Sequence, residues 1–313
     1  MARQNNAFMA QNVAMTDIDR QLPLGDEIFL DHVGHFVRDP QAAAAALTRA
    51  GFAPTPVSVQ VAPDGGPTGT GNVCAMMTRG YMEVLFKTAD TPLGREFEAA
   101  LARHSGIQLA AFAVADANAW HRRLGEAGFR TRPIAPFKRP VGTATGTDTA
   151  SFTVARVEPG EMAEGRIQML THHTEDAVWQ KRWLTHPNGA LGLASLVIVV
   201  ADVGEAAARY ARFTNRLATR TRAGQAVQLD RGRIDLVTRE AFAAALPEIA
   251  IPSLPFIAGY GVTMRLLDAV ELALRSRGLS SRRAGDTLVV PFPDELGRGM
   301  WLFSENSQAS VFR

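Results

Sequence analysis

The stretch "LDHVGHFVRDPQAAAAALTRAGF", residues 30–52, sets an apolar run before an aspartate, an alanine-rich stretch and a Gly-Phe stop. The apolar run reads as a strand that ends at Asp39 and Pro40. The Asp39 carboxylate can cap a helix over the alanines, and Gly51 can take the left-handed backbone that closes it. Alternate residues of a strand share a face. Leu30, His32, Gly34 and Phe36 are therefore expected on one face, with Asp31, Val33, His35 and Val37 on the other.

The same grammar returns along the chain. "IQLAAFAVADANAWHRRLGEAGF" (107–129) matches Asp39 with Asp116, and Gly51 and Phe52 with Gly128 and Phe129. A third copy, "LASLVIVVADVGEAAARYARF" (193–213), carries Asp202 in that place. A weaker fourth, "GYGVTMRLLDAVELALRSRGL" (259–279), offers Asp268 and Gly278. Strand-like segments follow each copy, for example "TPVSVQVA", "NVCAMMT" and "YMEVLF" after the first. Four strand–helix–three-strand units result. One such unit cannot bury its own sheet, so the units are expected to pair. The fold class is α+β, with curved mixed sheets from paired βαβββ modules, four modules in two domains. The expected divisions are a loose polar tail over 1–26, a first domain over 27–175, a linker over 176–192 and a second domain over 193–313. Pro187, Asn188 and Gly189 make a turn at the join.

Composition narrows the partners. Of 313 residues, 46% are hydrophobic and 20% charged, as in a globular protein, and the formal net charge is only +2. Arginines are scattered without interleaved aromatics, which argues against a nucleic-acid surface. The one cysteine, Cys74, excludes an intrachain disulfide and fits a reducing compartment. No apolar run reaches the roughly 18 residues of a membrane span, and residues 1–25 lack a signal-peptide core. A cytoplasmic protein that binds a small molecule is expected, and a homodimer is compatible with the sequence.

The paired βαβββ pattern resembles the vicinal oxygen chelate superfamily, which includes glyoxalase I, extradiol dioxygenases and bleomycin-resistance proteins. "LDHVGHFV", "GTGN", "GYMEVLF" and "IQMLTHHTEDAVWQKRWLTHPNGA" look like its glyoxalase-like branch. The resemblance covers nearly the whole chain after residue 26. It implies a cup that holds one divalent metal, each module offering a ligand position on its first and last strands. Counting back seven from the aspartates gives His32, Leu109, Ser195 and Gly261. Aligning the turn glycines Gly80, Gly165, Gly232 and Gly299 gives Glu83, Gln168, Asp235 and Leu302.

Only the first domain then offers a ligand set: His32, Glu83 and Gln168, with His172 as the alternative to Gln168. An imidazole, a carboxylate and an amide suit Mn, Fe, Ni, Zn or Mg. Glu83 doubles as the catalytic proton carrier, and Arg156, Asn72 and Tyr81 are candidate substrate-binding residues. Leu109 occupies a ligand position with a side chain that cannot ligate. Two readings therefore stand together: a metal-dependent lyase, isomerase or dioxygenase, and a metal-free sequestering cup of the bleomycin-resistance kind. The second cup is expected to hold no metal. His35 is expected to be a satisfied core histidine, Cys74 a buried small hydrophobe, and Trp179 and Trp183 a packing contact between the domains.

Overall fold

A computed structural model describes residues 20–61 and 65–312. Most of the expected N-terminal tail lies outside the described residues. Where it is described, the Gln21 amide donates to the Thr78 carbonyl, and Arg231 donates to the Arg20 carbonyl at 2.6 Å.

Four modules follow one another. The first is β1 (Ile28–Phe36), α1 (Pro40–Arg49), β2 (Ser58–Val61), β3 (Pro67–Met76) and β4 (Tyr81–Lys87). Helix α2 (Pro92–Arg103) leads to β5 (Gly106–Val114), α3 (Ala117–Glu126), β6 (Ala135–Gly142), β7 (Thr147–Arg156) and β8 (Arg166–His172). After the short α4 (Glu175–Val178) come β9 (Ala190–Val200), α5 (Val203–Thr214), β10 (Ala218–Arg220), β11 (Gly224–Gln228) and β12 (Arg233–Thr238). Helix α6 (Arg239–Ala245) precedes β13 (Phe256–Met264), α7 (Leu267–Ser276), β14 (Arg282–Ala284), β15 (Thr287–Pro291) and β16 (Met300–Ser304).

Two modules build each eight-stranded sheet. The orders are β2-β3-β4-β1-β5-β8-β7-β6 and β10-β11-β12-β9-β13-β16-β15-β14. First strands meet antiparallel at the centre, and each pairs in parallel with its own module's last strand. This is the vicinal oxygen chelate fold, used twice.

Asp39, Asp116 and Asp202 cap α1, α3 and α5 through their carboxylates, as their spacing predicts. Asp268 does not. It lies inside the first turn of α7, and Glu305 reaches back to accept from the Leu267 amide at 2.7 Å. Strand pairing shifts the fourth module's register accordingly. Gly259, opposite Val197, occupies the place that Leu109 holds opposite Gly34, so the count that selected Gly261 was two residues late.

Helices α1, α3, α5 and α7 and the faces of both sheets share one continuous apolar core. Backbone bonds also cross between the sheets, from Leu30 to Arg231, Arg79 to Leu191 and Arg298 to Ser105. The other face of each sheet forms a cup. Among the described residues, no helix is long and apolar enough to cross a membrane.

Candidate active site in the first cup

Strand β1 departs from simple alternation where it matters most. Leu30 pairs with Phe112 and His32 with Ala111, so Asp31 is an extra residue, a β-bulge. The bulge carries Leu30 into the core beside Ile28 and Val33, correcting its expected place on the His32 face. Asp31 turns to the His32 side. A Cβ on Gly80 (φ +75°) would stand 2.5 Å from the Asp31 carbonyl, so the β3–β4 turn needs glycine to lie against the bulge. Gly165 meets Gln108, and Gly299 meets Ala258, at the same 2.5 Å. Those two carbonyls also belong to bulge residues, on β5 and β13.

Asp31 has no solvent exposure. Its Oδ1 lies 2.6 Å from His32 Nδ1, and both carboxylate oxygens lie 3.2 Å from His172 Nε2. Burial pushes the Asp31 carboxyl up, but His172, through charge and hydrogen bonds, and then His32 hold it well below the usual carboxylate range. An ionised carboxylate only accepts, so Nδ1 of His32 and Nε2 of His172 each carry a hydrogen toward it. His32 therefore presents Nε2 to the cup, 3.8 Å from Glu83 Oε2.

Glu83 is placed by β4, the parallel neighbour of β1. Its Oε1 accepts from Asn72 Nδ2 at 2.6 Å. The Tyr81 ring stacks on His32, centroids 4.5 Å apart and 18° from parallel. Gln168 and Arg156, register partners on β8 and β7, line the same cup. The structure thus gathers His32, Glu83, Gln168, Asn72, Tyr81 and Arg156 at one place. His172 reaches it too, with Nε2 committed to Asp31 and Nδ1 buried without a partner. Its neighbour His173 faces the other way and meets Thr153 Oγ1 at 2.8 Å.

Apolar walls surround this polar floor. Leu85, Leu109, Val154 and Leu170 pack together beside Phe137 and Phe152, whose rings stack at 5.7 Å. Arg139, Arg156 and Arg166 also line the cup. Burial, and then the Arg156 charge, lower Arg166 to about 10. Trp179 and Trp183 do not join the domains as expected. They belong to a cluster with Tyr81, Cys74 and Met76, and Trp179 meets His172 edge-on at 4.7 Å. Cys74 is buried, which pushes its thiol up to about 12. His35 sits in the shared core, bonded to the Leu296 carbonyl at 3.0 Å and the Tyr260 hydroxyl at 2.9 Å.

Comparison with known proteins agrees with this architecture. A family model described as "Glyoxalase-like domain" matches residues 30–214, more than half of the chain. The chain belongs to the glyoxalase-like family. Among solved structures, the glyoxalase-like chain is similar to a hypothetical protein from Staphylococcus aureus. Identity is 9% and the TM-score 0.61, over 88% of this chain and 99% of that one. It is also similar to a mutant 4-hydroxymandelate synthase from Streptomyces coelicolor, at 12% identity and TM-score 0.60, over 91% and 94%. A xylose isomerase-like TIM barrel/4-hydroxyphenylpyruvate dioxygenase fusion protein matches at 11% identity and TM-score 0.53, over 91% of this chain and half of that one. These likenesses carry the fold. No curated protein sequence matches the chain.

The donor chemistry for a divalent ion consists of two strong groups and an amide. Ligands at about 2.0–2.2 Å from one ion can stand up to roughly 4.2 Å apart, and His32 Nε2 and Glu83 Oε2 fall within that span. Among the described residues, no group of three His, Cys, Asp or Glu side chains could hold a metal. A divalent ion there would have to rely on Gln168 and on ligand or water oxygens for its remaining positions. Asp31 was missed in the sequence because strict alternation put it on the opposite face. The adjacent acid and histidine in "LDHV" were the available signal.

Proposed function

We propose that the first cup is an enzyme site that takes one divalent ion (Mn, Fe, Ni, Zn or Mg) on His32, Glu83 and Gln168. It acts on a small oxygen-bearing substrate by lyase, isomerase or dioxygenase chemistry. The observation that carries this reading is the buried Asp31 carboxylate, which fixes the His32 proton on Nδ1 and turns Nε2 toward Glu83. A carboxylate behind a ligating histidine orients the ring and raises its basicity. A bound ion supplies Lewis acidity toward a substrate oxygen. Asn72 holds Glu83 by Oε1, leaving Oε2, the oxygen nearest His32, as the atom that would hold the ion and, when not ligating, exchange a proton with the substrate. Leu85 and Leu109 line the same cup as Glu83.

A second reading is a metal-free cup that sequesters a planar molecule. Leu109 in a ligand position and the stacked Phe137 and Phe152 favour it. Metal analysis of protein purified without chelator or histidine tag separates the two. The enzyme reading expects about one equivalent in the wild type and almost none in His32→Ala. Equal metal content in both proteins would leave the sequestering cup.

A further inference from the structure

Arg156, at the end of β7, and Arg166, at the start of β8, line both the cup and a second cleft, which opens between α2 and residues 157–165. Both guanidinium groups are drawn in from solvent with little to balance them. Arg156 joins no ion pair among the described residues, and its Nε is buried without a hydrogen-bond partner. Its charge lies over the Phe137 ring, 5.5 Å from the centroid. Arg166 lies 5.6 Å over Phe36 and comes no nearer than 3.9 Å to Glu96. That glutamate is half exposed and already bonded to Arg132 at 3.2 Å. Two neighbouring cations drawn partly out of water, with one distant and shared counter-charge, are costly, and an anion between them relieves the cost. Guanidinium forks match the oxygens of carboxylate and phosphate groups.

We propose that Arg156 and Arg166 form an oxyanion subsite that receives the acid group of a planar carboxylate or phosphate ligand. The planar part of the ligand lies along Phe137 and Phe152, and its far end points toward His32 and Glu83. This inference rests on the reading of the first cup as a small-molecule site, but it does not require the metal.

Calorimetric titration of the full chain with benzoate, phenyl phosphate and neutral benzamide tests it, before and after treatment with chelating resin. At least one of the two anions should bind tenfold or more tightly than benzamide, and the tighter one identifies the acid group. Arg156→Gln should weaken that anion at least tenfold. Lys138→Gln removes one positive charge from the outward face of β6 and should change it less than twofold. Benzamide binding as well as the anions, no binding by any of the three, or equal losses in the two variants would overturn the subsite. Arg156→Gln without ligand should also melt no lower than wild type, because it removes an unpaired charge. A clear drop would assign Arg156 a structural role instead. An anion preference that survives the resin supports the subsite even where no metal is found, so the two readings fail separately.

Discussion

The two cups have the same backbone and opposite contents. Where the first cup has Asp31, His32, Glu83 and Gln168, register-equivalent positions of the second hold Ala194, Ser195, Asp235 and Leu302. Asp235 is the acidic group among these four. It is paired with Arg233 at 3.0 Å and approached by Ser310 Oγ at 3.4 Å. Around it, Phe242 and Leu246 of the α6 region, Ile249, and Phe312 near the C-terminus close into an apolar cluster with Val197, Val289 and Leu302. The second cup is filled by its own side chains. The pair shows that the fold supplies a concavity, while four or five side chains decide whether it becomes a site or a core.

If that contrast is right, truncation should cost stability unequally. Phe312 is buried and stacks on Phe242 with centroids 6.0 Å apart. Phe312→Ala should lose about 3 kcal/mol in urea unfolding, the lower end for a buried Phe because a terminal segment can relax. Phe137→Ala, in the half-open wall of the first cup, should lose only about 1 kcal/mol. Equal losses would break the distinction between a filled cup and an open one.

The two histidines of β1 sharpen the comparison between cup and core. Burial lowers His35 to about 4, against an ordinary 6.5, so the folded protein keeps this ring neutral. The unfolded chain binds the proton more readily. The stability that His35 contributes is therefore complete above pH 6.5 and is lost as pH falls through 4, roughly 3 kcal/mol in all. Urea midpoints measured at pH 7, 5.5 and 4 should fall less steeply in His35→Gln than in wild type. Parallel slopes would show that His35 is not the titrating group.

Much of this architecture was legible because local chemistry repeats. The capping aspartates, the glycines at helix ends and the apolar first strands recur along the chain, and this recurrence fixes the module count. Three features were hidden, each for a physical reason. The bulge at Asp31 is one inserted residue, which no two-residue periodicity can register. The cap of α7 comes from Glu305, 38 positions downstream of Leu267, so Asp268 looked like the cap and moved the count. Trp179 and Trp183, four residues apart, would share one face of a continuous helix. The chain instead breaks after Val178 and resumes as a short 3-10 turn at Lys181, laying both rings on the first cup's end cluster. Helix α2 left a clear trace in "TPLGREFEAALAR", where Thr91 caps and Pro92 opens the first turn.

One measurement tests the central claim most directly: that Asp31 aims His32 in the first cup and that nothing equivalent operates in the second. Zinc affinity should be measured by calorimetry for wild type, Asp31→Asn and Ser195→Ala. Loss of the carboxylate behind a ligating histidine costs about 10- to 100-fold in metal affinity. We expect about one ion per chain, a loss of that size in Asp31→Asn and no change in Ser195→Ala. Undiminished affinity in Asp31→Asn, or a loss in Ser195→Ala, would contradict the account.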